Sequence, residues 1–191
     1  MSVVPIPAWT ADGVLPPLDA SQPVAPERSP YLVSLVDYVL RFGDTADRRA
    51  ILDGLLRYRA ALHSLGLVRG FHWLDGSFLE HIERIEGRSP NDLDLVTFFH
   101  LPPAASQLQL LSKIGGLLGP SAKATYRVDA YLQHLGMAPE LLARQAAYWY
   151  SVWSHRRNQL WKGFVQIDLN PGEDGAAVAT LASFPKAGTT P

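Results

Sequence analysis

The chain has no cysteine, only two methionines in 191 residues, and no stretch approaching about 18 uninterrupted apolar residues. Without cysteine there can be no disulfide framework, no thiolate zinc site and no thiol nucleophile, and a reducing compartment suits such a chain. The start, Met1-Ser2-Val3-Val4-Pro5, lacks the basic region and apolar core of a signal peptide. A cytoplasmic protein with no membrane association is the expectation. An excess of either charge is also missing, because 17 Lys and Arg stand against 18 Asp and Glu for a formal net charge of -1. That balance offers no broad positive footprint, so long nucleic acid is not the expected partner. The six histidines show no HExxH-type spacing, which argues against zinc.

What is present is apolar: 47% of residues are hydrophobic and 18% charged, enough for one sizeable core at this length. Residues 1–30 carry seven of the fifteen prolines and cannot form helices or central strands. They should form an extended arm, either a disordered leader or, given Val4, Ile6, Trp9, Val14 and Leu15, a segment lying along the domain. Residues 31–170 are expected to form a single domain, and residues 171–191, small and Pro-containing, a flexible tail.

Within the domain, apolar spacing predicts helices over residues 31–42 and 45–65, ended by Gly43 and Gly66. Residues 68–74 read as a strand, Gly76-Ser77 as a tight turn, and 78–85 as a short helix or helical turn starting on the serine. A second strand spans 92–99, followed by a helix over 106–118 weakened by Gly115 and Gly116. Residues 124–132 alternate as a third strand. An aromatic-rich helix over 140–161 and a fourth strand over 163–169 complete the pattern. The order implies an α+β fold, a mixed sheet of four to five strands flanked by helices.

The chemistry gathers around Gly76-Ser77 and Asp92-Leu93-Asp94. Residues two apart in a strand share a face, so Asp92 and Asp94 project together. Adjacent carboxylates repel unless a cation sits between them, and hard oxygen donors suit magnesium, or manganese. Glycine lets backbone approach a phosphate closely, and Ser77 offers a hydroxyl where a helix begins. Taken singly, a Gly-Ser pair is usually only a turn and an Asp-x-Asp a solvated strand end. In this order, each beside an apolar strand, they point to a nucleoside triphosphate and its metal.

These residues resemble the nucleotidyltransferase superfamily typified by DNA polymerase beta, and especially its small prokaryotic members. The resemblance covers roughly residues 68–132 and rests on Gly76-Ser77, Asp92-x-Asp94, and a third carboxylate inside an apolar strand, here Asp129 in Tyr126-Arg127-Val128-Asp129-Ala130-Tyr131. The spacer between Ser77 and Asp92 is longer than in the most compact members. The likeness implies a magnesium-dependent enzyme that moves a nucleoside monophosphate from a nucleoside triphosphate, ATP by default, onto a hydroxyl of a protein, a small molecule or an RNA end, releasing pyrophosphate. It implies that Asp92 and Asp94 hold the metal that travels with the triphosphate and that Asp129 completes a second metal site. A noncatalytic nucleotide-binding or protein-interaction module on the same fold, as in a toxin–antitoxin or defence system, is the alternative.

Other residues compete for roles. Asp168, in Gly163-Phe164-Val165-Gln166-Ile167-Asp168-Leu169, is a second candidate for the third carboxylate. Asp75 is expected to accept backbone hydrogen bonds within the turn, and Glu80 and His81 to sit on the exposed face of the short helix. Arg156, Arg157 and Lys162 could balance triphosphate charge or could be a solvated helix end. The aromatic cluster Tyr148-Trp149-Tyr150 and Trp153 reads first as helix packing.

Overall fold

A computed structural model describes residues 3–102 and 107–185. The elements in chain order are β1 (Tyr31–Leu32), α1 (Leu35–Phe42), α2 (Ala46–Ser64), β2 (Gly70–Asp75), α3 (Ile82–Glu86), β3 (Leu93–Phe99), α4 (Gln107–Leu111), α5 (Gly119–Tyr126), β4 (Val128–His134), α6 (Pro139–Trp153), β5 (Val165–Asp168) and α7 (Asp174–Ser183). The fold is α+β, with one mixed five-stranded sheet in the order β1-β5-β2-β3-β4. The central pairs β2–β3 and β2–β5 are antiparallel, whereas β1–β5 and β3–β4 are parallel. Among the described residues no helix is long and apolar enough to cross a membrane.

Several boundaries differ from the sequence reading, each for a local reason. Tyr31 and Leu32 pair with β5, and α1 starts only after Ser34, whose hydroxyl accepts from the Asp37 N–H at 3.0 Å. The helix foreseen over 106–118 is the short α4 followed by a 3-10 turn at Gly115–Leu117; Ser106 itself lies outside the described residues. Tyr126 closes a helix instead of lying in a strand: Pro120 fits its first turn, Ala122 is buried, and Arg127 caps it in the left-handed region at φ 56°. The aromatic helix α6 stops at Trp153, because Asn158 accepts from the Leu160 N–H at 3.1 Å and Gln159 takes φ 69°, folding 155–161 into a tight hairpin.

The predicted flexible tail is corrected too. Residues 174–183 form α7, tied down by Arg59 of α2, which reaches Asp174 at 2.6 Å and the backbone oxygens of Asp168 and Asn170 at 2.8 and 3.1 Å. Residues 186–191 lie outside the described chain. The arm over 3–30 is ordered against the domain: the Val4 N–H bonds Leu32 O at 2.8 Å, and Trp9 donates to Leu79 O at 2.7 Å while stacking on His81.

Candidate functional site

Sheet register brings the acids into one row. Asp75 of β2 lies opposite Asp94 of β3, and Asp94 lies opposite Asp129 of β4, so three carboxylates occupy adjacent strands at one level. Asp92, two residues before Asp94, projects to the same side. Burial first, and then the neighbouring charges of Asp92, Asp75 and Asp129, push the pKa of Asp94 up to about 7. The sequence reading did not foresee Asp75 in this row; its apolar lead-in, ending at Leu74, was the available signal.

The turn after β2 is shaped around Asp94. Gly76 has φ +86° and ψ -175°, and a β-carbon there would lie 2.3 Å from Asp94 Oδ2, so only glycine fits. Ser77 opens a three-residue 3-10 turn, the helical turn that the sequence allows as an alternative to a short helix, with α3 starting separately at Ile82. Fully buried Arg48 of α2 fixes that turn. Its guanidinium donates to Phe78 O at 2.7 Å, Glu80 O at 2.6 Å and the Glu83 carboxylate at 2.6 and 2.8 Å. Arg48 and Arg59 sit eleven residues apart on one helix face, which explains how α2 clamps both the Ser77 turn and the end of β5.

Beneath the row, Lys162 is buried between two carboxylates, its Nζ 2.9 Å from Asp75 Oδ1 and 3.0 Å from Glu80 Oε1. Burial alone would lower its pKa, but Asp75 and Glu80 outweigh that and raise it. Arg156 continues the chain of ion pairs, reaching Glu80 at 3.0 Å and Glu86 at 2.5 Å. Glu80 is therefore buried and paired, not on an exposed helix face, and His81 is stacked on Trp9. Lys162 is a structural counter-charge below the acids. Arg157 is exposed at the rim.

These groups line a cleft of about 910 Å³. Its lining includes Asp75, Asp92, Asp94 and Asp129, the turn residues Gly76 and Ser77, and the cations Arg156, Arg157 and Lys162. An aromatic wall borders Asp129, with Tyr131 and Trp149 rings 4.8 Å apart and Tyr148 edge-on to Trp149 at 5.2 Å. Tyr148 and Tyr131 are 55% and 41% exposed, so this part of the cluster faces the cleft, while Trp153 is core. Lys123 of α5 forms an ion pair with Asp92. No sequence signal singled it out.

The donor set suits a hard divalent cation, because every acid in the row offers oxygen, and burial together with the charges of Asp92, Asp75 and Asp129 raises the pKa of Asp94 to about 7, a cost that a cation among them would relieve. Among the described residues no group of three or more His, Asp or Glu side chains is placed so that it could hold a metal ion as the side chains stand. Asp168 lies at the other end of the sheet, opposite Phe71, where it accepts from the Asn170 N–H at 2.7 Å. It does not join the row.

The model of a family of unknown function, DUF6932, matches residues 7–168. The chain belongs to this family. The DUF6932 match runs from the arm through β5 and so includes all the acids of the cleft. No curated protein and no solved structure matches the chain.

Proposed function

We propose that this DUF6932 protein is a magnesium-dependent nucleotidyltransferase that moves a nucleoside monophosphate from a nucleoside triphosphate, ATP by default, to an acceptor hydroxyl. The observation that carries the reading is the row Asp94–Asp129 with Asp92 beside it and the glycine turn pressed onto Asp94. In the reaction the acceptor oxygen bonds to the α-phosphorus, the bond to the bridging oxygen breaks, and pyrophosphate leaves while the acceptor loses its proton. Asp92, Asp94 and Asp129 would hold magnesium, or manganese, which would supply charge stabilisation at phosphorus and acidify the hydroxyl. Asp129 borders the open aromatic wall and is assigned to the acceptor side. Ser77 contacts the β- and γ-phosphates, with Arg156 and Arg157 as counter-charges at the rim and Lys162 acting from below through Asp75 and Glu80.

The small single domain and the mixed charge of the cleft favour a protein side chain, a small molecule or an RNA end over a long nucleic acid as acceptor. A cytoplasmic location goes with the reading, since triphosphates and magnesium are found there. A noncatalytic nucleotide-binding or protein-interaction module is the second reading, favoured by the Lys123 ammonium on Asp92.

The test is incubation with each α-labelled triphosphate and magnesium in lysate of the source cell, followed by separation of protein, RNA and small molecules. Label in a protein band, a small molecule or a single-step RNA product is the expected result. A ladder of extended RNA would refute the acceptor assignment. Binding of triphosphate with no transfer would establish the noncatalytic reading in its place.

A further inference from the structure

Lys123 has no part in the transfer chemistry above, yet its ammonium rests on the Asp92 carboxylate. It rises from the last turn of α5 and interacts electrostatically with Asp129 and Asp94 as well. Its side chain is 54% exposed and that of Asp92 is 16% exposed, so the lysine reaches in from the rim over a mostly covered acid. A long stem in solvent keeps rotameric freedom, and holding it in one geometry costs entropy.

The backbone beneath that side chain is fixed. Ala122 is fully buried, a β-carbon on Gly54 of α2 would lie 1.8 Å from Tyr126 O, and the Leu93 N–H bonds Arg127 O at 3.1 Å. Helix α5 is thus wedged between α2 and the start of β3. The Lys123 side chain can leave Asp92 without unpacking the domain.

We propose that Lys123 is a displaceable internal cation: it neutralises Asp92 in the metal-free cleft, and a divalent cation entering among Asp92, Asp94 and Asp129 drives it off by side-chain rotation alone. The inference rests on the metal site of the proposed function. A single ammonium carries one charge and meets one carboxylate, whereas a divalent cation carries two and draws oxygens from several. The exchange therefore favours divalent over monovalent cations. The freed ammonium stays on the rim of the same cleft, where it adds a positive charge facing the incoming triphosphate.

The experiment is calorimetric titration of the full chain with Mn2+, for wild type, Lys123→Met and Lys123→Arg, with the thermal midpoint of each recorded with and without the ion. Lys123→Met is expected to bind Mn2+ about three- to tenfold more tightly and to melt lower without metal, so that its Mn2+-induced rise exceeds that of wild type. Lys123→Arg, which keeps the charge, should stay within about twofold of wild type. Unchanged or weaker Mn2+ binding in Lys123→Met, or equal tightening in Lys123→Arg, overturns the inference while leaving the metal site intact. Absence of Mn2+ binding in wild type and Lys123→Met alike overturns the metal site itself, and the inference with it.

Discussion

Gly76 and Asp94 fit together only because Gly76 has no side chain: a β-carbon there would fall 2.3 Å from Asp94 Oδ2 and 3.0 Å from its Cγ. The conformation at Gly76, φ +86° with ψ -175°, lies in a region that other residues occupy at about 1–3 kcal/mol. Gly76→Ala should therefore lower the thermal midpoint, push the Asp94 carboxylate from its place, and reduce Mn2+ affinity and transfer rate by more than about tenfold. Gly115→Ala, where an added methyl meets nothing within 4 Å, is the matched control. Equal effects of the two substitutions on Mn2+ titration would contradict the assignment.

The elevated pKa of Asp94 makes stability depend on pH in a defined direction. Between the ordinary carboxylate value near 4 and the folded value of about 7, the native state keeps a proton that the unfolded chain has released. Metal-free stability must then fall as pH rises across that window and level off above it, by about 4 kcal/mol at most. Asp94→Asn removes the penalty. The variant should unfold at higher urea than wild type at pH 8, with the gap closing by pH 4.

Asp129→Asn should slow the chemical step far more than it weakens triphosphate binding, because Asp129 is assigned to the acceptor side of the cleft. Asp168→Asn should leave transfer near wild type, since Asp168 caps the Asn170 turn at the opposite end of the sheet. Single-turnover rates with α-labelled triphosphate separate these effects. A larger loss in Asp168→Asn than in Asp129→Asn would exchange their roles.

Lys162→Met leaves Asp75 and Glu80 buried next to each other without their shared cation. Breaking a buried ion pair from one side costs about 3–5 kcal/mol, so urea unfolding should show a loss of that size. Adding Asp75→Asn to Lys162→Met should recover part of it by removing the charge left without a cation, because Glu80 keeps Arg156 at 3.0 Å. A surface role for Lys162 would instead give a change within about 0.5 kcal/mol.

The α+β class and the strands carrying Asp94 and Asp129 were legible because their signals are local: alternation, a glycine turn, and an acid embedded in apolar residues. Tyr126 was misassigned because Ala124 to Leu132 alternates as well as any strand, and the packing of Ala122 and Gly54 that makes its first part helical is long-range. The short run from Ser154 to Gln159 ended α6 through turn chemistry that an unbroken aromatic period hid. Asp75 read as a turn residue and Glu80 as an exposed one because their partner, Lys162, lies more than eighty residues away in sequence. Lys123 had no signal at all, since nothing in Gly119–Tyr126 tells which acid its side chain will meet.

β4 is the terminal strand of the sheet, held on one side only, and its seven paired positions with β3 set Asp129 against Asp94. A slip of one residue would bring Val128 or Ala130 to that level and turn the Asp129 carboxylate to the opposite surface. If the proposed metal site is right, cation affinity would thus report strand alignment as well as chemistry. A refolded preparation could match the native circular dichroism and still fail to take up Mn2+, so ion uptake can serve as the quality criterion that separates correctly registered molecules from slipped ones.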